Sequence, residues 1–292
     1  MSTDYDIRLE ITYAYDSPAA ANRALLRIMP LSGPEQQLIS GYVSTDPLPD
    51  FRRDGVDFFG NPTTEIAHYG SMSEILFRFS GRVRRFGPPT SLDLSCPLAS
   101  LGAEIGTVNS IGPSAPHHFL GESERLRIEP KIAAFAEDLT ELSMPVFHVV
   151  QTMSKALHAH FEFDPEATEV TTTPLDAFES RRGVCQDISH VMITALRAIG
   201  IPAGYVSGFL RTTPPPGQPR LEGADAMHAW VRAWCGFEMG WIEIDPTNDL
   251  LVGGDHIAVA IGRDYADVAP VKGSSRTAGS HTTEHQVDVI PL

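Results

Sequence analysis

From Asp225 to Trp234 the chain reads Asp-Ala-Met-His-Ala-Trp-Val-Arg-Ala-Trp, a strict alternation that resumes from Trp241 to Asp245 after a break containing Gly236 and Gly240. Alternation of period two is the mark of β-strands. A short glycine-bearing connection between two such runs folds back as an antiparallel hairpin. One face of the first strand then carries His228, Trp230, Arg232 and Trp234, and one face of the second carries Trp241, Glu243 and Asp245. Opposed residues in an antiparallel pair keep a constant index sum. A loop at 235–238 sets His228 opposite Asp245, whereas a loop at 236–239 makes them diagonal neighbours. Either register keeps imidazole and carboxylate within reach.

The rest of the chain predicts an α+β protein of about two domains. Residues 1–85 read as a β-sandwich-like domain: Tyr5 to Tyr13 alternates, and further short strands are expected over 25–30, 37–45, 53–59, 64–69 and 73–84, separated by turns such as Gly60-Asn61-Pro62. Residues 86–125, rich in proline, read as a linker wrapped over the surface. Residues 126–292 read as the second domain. Helical spacing covers 132–142 and 146–161, and Thr173 caps a short helix ahead of Pro174. A helix beginning near Cys185 carries the apolar stripe Ile188, Val191, Met192, Ala195, Leu196 and Ile199 before Gly200 ends it. Strands follow over 204–210, 226–234 and 241–245, with an exposed proline-rich loop at 212–223.

Composition narrows the function classes. Lys and Arg number 22 against 37 Asp and Glu, a formal net charge of −15. The one compact basic run, Arg82-Val83-Arg84-Arg85, reads as a solvated strand end, so no nucleic-acid partner is expected. No apolar leader and no run of about 20 apolar residues occurs, which predicts no membrane partner. Three widely spaced cysteines predict no disulfide framework and a cytoplasmic location. His117-His118 and His158-Ala159-His160 lack a cysteine or carboxylate at ligand spacing and read as structural histidines, so neither metal nor cofactor is expected.

Cys185 lies where the loop Arg181-Arg182-Gly183-Val184 enters a buried helix. A helix start offers unpaired N–H groups and the positive end of the macrodipole, both of which favour a thiolate nucleophile. Gly183 permits close backbone approach, and the backbone N–H of Cys185 is a candidate oxyanion donor. Taken singly, Cys185 reads as a core cysteine, His228 as a sheet histidine and Asp245 as a turn residue before Pro246. A cysteine at a helix start followed by a paired histidine and carboxylate makes a nucleophile, a base and an orienting group.

This order, Cys then His on one strand and Asp on the next, resembles the transglutaminase-like superfamily with its papain-like core, and most closely its bacterial members with an extra N-terminal β domain. Gly183-Val184-Cys185-Gln186-Asp187, Gly200-Ile201-Pro202-Ala203, Tyr205-Val206-Ser207-Gly208, His228-Ala229-Trp230, Asp245-Pro246-Thr247-Asn248 and Gly262-Arg263-Asp264-Tyr265-Ala266-Asp267 carry the resemblance. It implies a Cys185–His228–Asp245 triad, an acyl-enzyme thioester and a peptide or protein amide substrate, with a cleft near Trp230, Asp225 and Gly204. Gly204 stands where many relatives carry Arg. Asp225 stands where animal transglutaminases carry the tryptophan of the amine tunnel, which favours hydrolysis over protein cross-linking. The resemblance also implies an ATP-grasp-type ligase as a partner system. Amine-accepting transamidation and a non-catalytic binding module are the alternatives.

Overall fold

The protein is described by a computed structural model covering residues 2–87, 92–212, 223 and 225–292. The loop expected at 212–223 therefore lies outside the described residues except at its two ends.

The N-terminal part contains β1 (Ser2–Leu26), β2 (Gln36–Asp46), β3 (Phe51–Val56), β4 (Pro62–His68) and β5 (Met72–Phe86). The long β1 serves two layers. Its first half pairs with β5 through Ala14, and its second half pairs with β4 from Asn22. Between them the register breaks, and Ala21 turns the chain at φ 51°. The strand order is β2-β5-β1-β4-β3. Arg82 and Arg84 pair across the strands with Asp6 and Asp4, and Arg78 with Glu10. The basic run is thus a cross-strand ion-pair ladder.

The segment expected to be a plain linker contains structure. Helix α1 (Leu98–Gly106) buries Leu101, and a single 3₁₀ turn, Pro116–Phe119, buries Phe119. Glu104 of α1 accepts the Phe237 N–H at 2.8 Å, which ties the segment to the later hairpin turn.

Next come α2 (Pro130–Asp138), α3 (Val146–His160), β6 (Glu162–Phe163), α4 (Pro174–Ser180), β7 (Arg182–Gly183) and α5 (Cys185–Ala198). Pro130 occupies the first turn of α2, which moves that helix two residues earlier than the periodicity suggested. Thr173 accepts the Asp176 N–H and caps α4. In α5 every residue from Asp187 to Arg197 is buried, including the polar ones. Arg197 satisfies its guanidinium on the carbonyls of Ala203, Gly121 and Arg263. Burial lowers the His190 pKa to about 4, so its ring is neutral and accepts the Tyr265 N–H at 3.2 Å.

The last part contains β8 (Ala203–Leu210), β9 (Ala226–Trp234), β10 (Trp241–Asp245), β11 (Leu250–Leu251), β12 (His256–Gly262), α6 (Tyr265–Val268), β13 (Val271–Arg276) and β14 (His281–Pro291). An antiparallel sheet of order β11-β10-β9-β8-β12 packs on α5. The two final strands leave this unit: β13 and β14 both pair with β1. A catalytic domain running from 126 to 292 is therefore not what the sheets describe, because the chain from Val271 onward completes the N-terminal layers. Val287 and Val289 share one core with Ile7, Ile11, Phe77, Phe209 and Ile257, so the two units are fused through packing. Among the described residues no helix is long and apolar enough to cross a membrane.

Candidate active site

The N-terminus of α5 presents Cys185 through a clamped turn. The Asp187 carboxylate accepts the Val184 N–H at 2.9 Å and the Thr168 hydroxyl at 2.6 Å. Gly183 makes room for that carboxylate, since a Cβ there would lie 2.8 Å from the nearer Asp187 oxygen. Burial pushes the Asp187 pKa up against these hydrogen bonds.

The hairpin adopts the second of the two registers. Trp241 faces Trp234 and Ile244 faces Val231, which makes His228 and Asp245 diagonal neighbours. His228 Nε2 lies 2.8 Å from Asp245 Oδ2. Asp245 is fully buried and its carboxylate gathers donors: His256 Nε2 at 3.1 Å and Asn248 Nδ2 at 2.7 Å on Oδ2, and the backbone N–H of Thr247 at 3.0 Å on Oδ1. Burial alone would raise the Asp245 pKa, but hydrogen bonds from His228 and His256 hold it well below the usual carboxylate range. Burial likewise pulls His228 down, yet its hydrogen bonds to Asp245 and Cys185 prevail and raise its pKa to about 10. Because Nε2 is committed to Asp245, Nδ1 is the nitrogen left for Cys185.

Cys185 and His228 open on one cleft of about 430 Å³. Its walls come from both units: Val184, Tyr205, Met227 and Tyr265 on one side, Ile11, Tyr13, Thr283 and His285 on the other. Among the described residues the lining contains no Asp, Glu, Lys or Arg. The three residues expected to bind together are thus brought together, whereas the three expected near the cleft do not line it. Trp230 is fully buried and donates its indole N–H to Glu243 at 2.8 Å. The Asp225 carboxylate is turned to the Thr212 and Val289 N–H groups, both at 2.6 Å. Gly204 faces Arg232 on β9, and a Cβ there would meet the Phe119 ring and the Gly262 carbonyl at 2.8 Å. The cation at this place is Arg232, stacked 4.0 Å from the Trp241 ring centroid. Gly204→Ala is accordingly expected to lower unfolding free energy by about 1–3 kcal/mol through overpacking, measured by denaturant titration, while leaving the rate of Cys185 alkylation unchanged.

His256 escaped the reading of the sequence. Together with His228 and Asp245 it places three potential ligand atoms within 4.8 Å of one another. The separations at Asp245 are hydrogen-bond lengths, and the ionised carboxylate can only accept, so each Nε2 carries a proton and the cluster is hydrogen-bonded. Three members of the close histidine pairs have structural partners. His158 meets the Thr247 carbonyl at 2.9 Å, His160 the Phe178 carbonyl at 2.9 Å and His118 the Ile111 carbonyl at 3.1 Å.

The transglutaminase-like superfamily model matches residues 133–246, and the model of the bacterial transglutaminase-like N-terminal region matches residues 5–84. An uncharacterized protein of Mycobacterium tuberculosis is 30% identical over 99% of this chain and 93% of its own length. A protein-glutamine gamma-glutamyltransferase of Pseudomonas aeruginosa is 32% identical over 49% of this chain and 22% of its own length. Among solved structures, a Cytophaga hutchinsonii protein proposed to be a cysteine protease superposes with a TM-score of 0.76 at 20% identity, covering 100% of this chain and 91% of the other.

Proposed function

Because the chain belongs to the transglutaminase-like superfamily, we propose that it hydrolyses an amide or peptide bond through a thioester on Cys185. The observation that carries this reading is the 2.8 Å contact between His228 Nε2 and Asp245 Oδ2 at a cleft that Cys185 also lines. His228 Nδ1 takes the thiol proton as the sulfur attacks the amide carbonyl. The oxygen that becomes negative lies toward the start of α5, where the Cys185 N–H serves as donor. Collapse breaks the C–N bond, and the imidazolium returns its proton to the leaving amine. A water then attacks the thioester, giving its proton to His228, and the thiol leaves with that proton to restore the enzyme. Asp245 accepts from Nε2 throughout and stabilises the imidazolium.

The mostly apolar lining, free of formal charges outside the reacting couple among the described residues, suits an uncharged acyl group. The choice of water over amine rests on position 225, whose side chain is held by backbone N–H groups and forms no aromatic wall. The expected result, with any amide that acylates Cys185, is free acid as the main product even in excess primary amine. Mass spectrometry of products over a range of amine concentrations checks it. An amine adduct dominating at low amine concentration establishes transamidation instead, the reading that the gamma-glutamyltransferase relative favours. Failure of a broad amide library to form any acyl-enzyme supports a binding module.

A further inference from the structure

Asp245 serves two imidazoles with one oxygen. His256 lies at the start of β12, an edge of the sheet, and Asp245 lies at the end of β10, with β9 and β8 between them in strand order. His256 nevertheless reaches Asp245 Oδ2 at 3.1 Å, beside the 2.8 Å contact from His228. The Gly253 N–H points at His256 Nδ1 over a long 3.5 Å, so Nδ1 accepts and Nε2 bears the proton. The Trp230 ring meets the His256 ring edge-on, at 5.2 Å between centroids and 83° between planes. His256 is buried, and the cleft lining does not include it. Its ring is thus fixed by a backbone donor, an aromatic edge and one carboxylate oxygen.

A carboxylate turns broadly about its Cβ–Cγ bond, because that terminal torsion has no sharp staggered wells. Donors arriving from separate elements set its angle. Here Asn248 approaches from the following turn, His228 from β9 and His256 from β12. The angle of the carboxylate in turn sets the tilt of the His228 ring, and so where Nδ1 points.

We propose that His256 is a positioning residue for the acyl-transfer couple, donating to the Asp245 oxygen that also serves His228 and thereby aiming His228 Nδ1 at Cys185. This rests on the acyl-transfer reading above. The probe is p-nitrophenyl acetate, whose burst of p-nitrophenol reports acylation of Cys185 without knowledge of the natural substrate. With His256→Phe the burst rate constant is expected to fall roughly 10- to 100-fold, as displacement of a reacting group does, with the substrate concentration at half-saturation unchanged. His256→Gln, which retains a side-chain N–H, is expected to recover most of that loss. A Phe variant as fast as the parent, or a Gln variant as slow as the Phe variant, overturns the proposal. A second measurement does not depend on folded variants: long-range ¹⁵N–¹H spectra of the parent protein should show His256 with its proton on Nε2. A proton on Nδ1 alone removes the donor and the proposal with it. If the ester does not acylate the parent Cys185, the acyl-transfer reading fails, and the spectrum still decides whether the hydrogen bond exists.

Discussion

Asp245→Asn is expected to lower turnover by roughly three to four orders of magnitude, the scale seen when an orienting carboxylate of a triad becomes an amide. The amide places an N–H donor or a single acceptor where His228, His256 and Asn248 all donate to one oxygen. If the amide nitrogen takes the place of Oδ2, His228 must present Nε2 as acceptor and carry its proton on Nδ1, where it can no longer accept one from Cys185. Stability should fall as well, by about 1–3 kcal/mol, because buried donors are left unpaired. Its pH dependence follows from the two shifts. Asp245 has a depressed pKa, so its contribution is present above its ordinary value of 3.8 and lost as the pH falls further. His228 has a raised pKa, so its contribution is complete below 6.5 and lost as the pH rises through about 10. The stability gap between parent and variant should therefore be widest between these limits and narrow toward strong acid and strong base. Thermal melts across pH, with turnover measured in parallel, check both effects. Near-normal turnover in folded Asp245→Asn removes Asp245 from the mechanism. Glu243→Gln, which changes the acceptor for the Trp230 indole and removes a charge that acts on Arg232, but leaves the Asp245 hydrogen bonds in place, should lose little turnover by comparison.

Iodoacetamide at mildly acidic pH is expected to modify Cys185 roughly a thousand times faster than Cys96 or Cys235, following thiolate availability and access. Cys185 opens on the cleft beside His228, whose raised pKa lets the ring take up the thiol proton and leave a thiolate. Cys235 is fully buried, and burial pushes its thiol pKa far up. Burial also raises the Cys96 pKa, assisted by its hydrogen bond with Glu104. Peptide mass mapping of a time course gives the three rates. Equal labelling of Cys185 and Cys96 would remove the activated nucleophile and, with it, the thioester.

The hairpin and the α5 start were legible because period-two and helical patterns there coincide with burial on defined faces. The 226–234 and 241–245 strands have the bounds that the alternation gave. β12 was not legible. Its run His-Ile-Ala-Val-Ala-Ile-Gly is buried along almost its whole length, so it does not alternate, and His256 went unnoticed at its head. β14 was missed for the opposite reason: its first six residues are polar and exposed, and only Val287 and Val289 mark an inner face. Helix α1 buries a single side chain, too little for a periodic signal. The cleft residues expected at Trp230, Asp225 and Gly204 failed for a shared physical reason. Sharing a strand face with a reacting group, or lying next to it in sequence, does not decide whether a side chain meets solvent or a neighbouring layer. Here Glu243, β14 and Phe119 fill those spaces.

The pairing of β14 with β1 has a consequence for synthesis on the ribosome. Tyr5 pairs with Pro291 and Tyr15 with His281, so β1 waits for a strand made much later in the chain. Until β14 emerges, β1 keeps an unpaired edge along its first half, the kind of edge that invites association with other chains. Thr283 and His285, which complete the cleft wall facing Cys185, arrive on that same strand. The nascent chain thus carries its cysteine on a helix made before β14, and completes the wall opposite it only when β14 has emerged. Ordering of the full cleft is a late event of slow, sequence-distant closure. A chain released from the ribosome before residue 281 lacks Thr283 and His285 and has only Ile11 and Tyr13 for that wall.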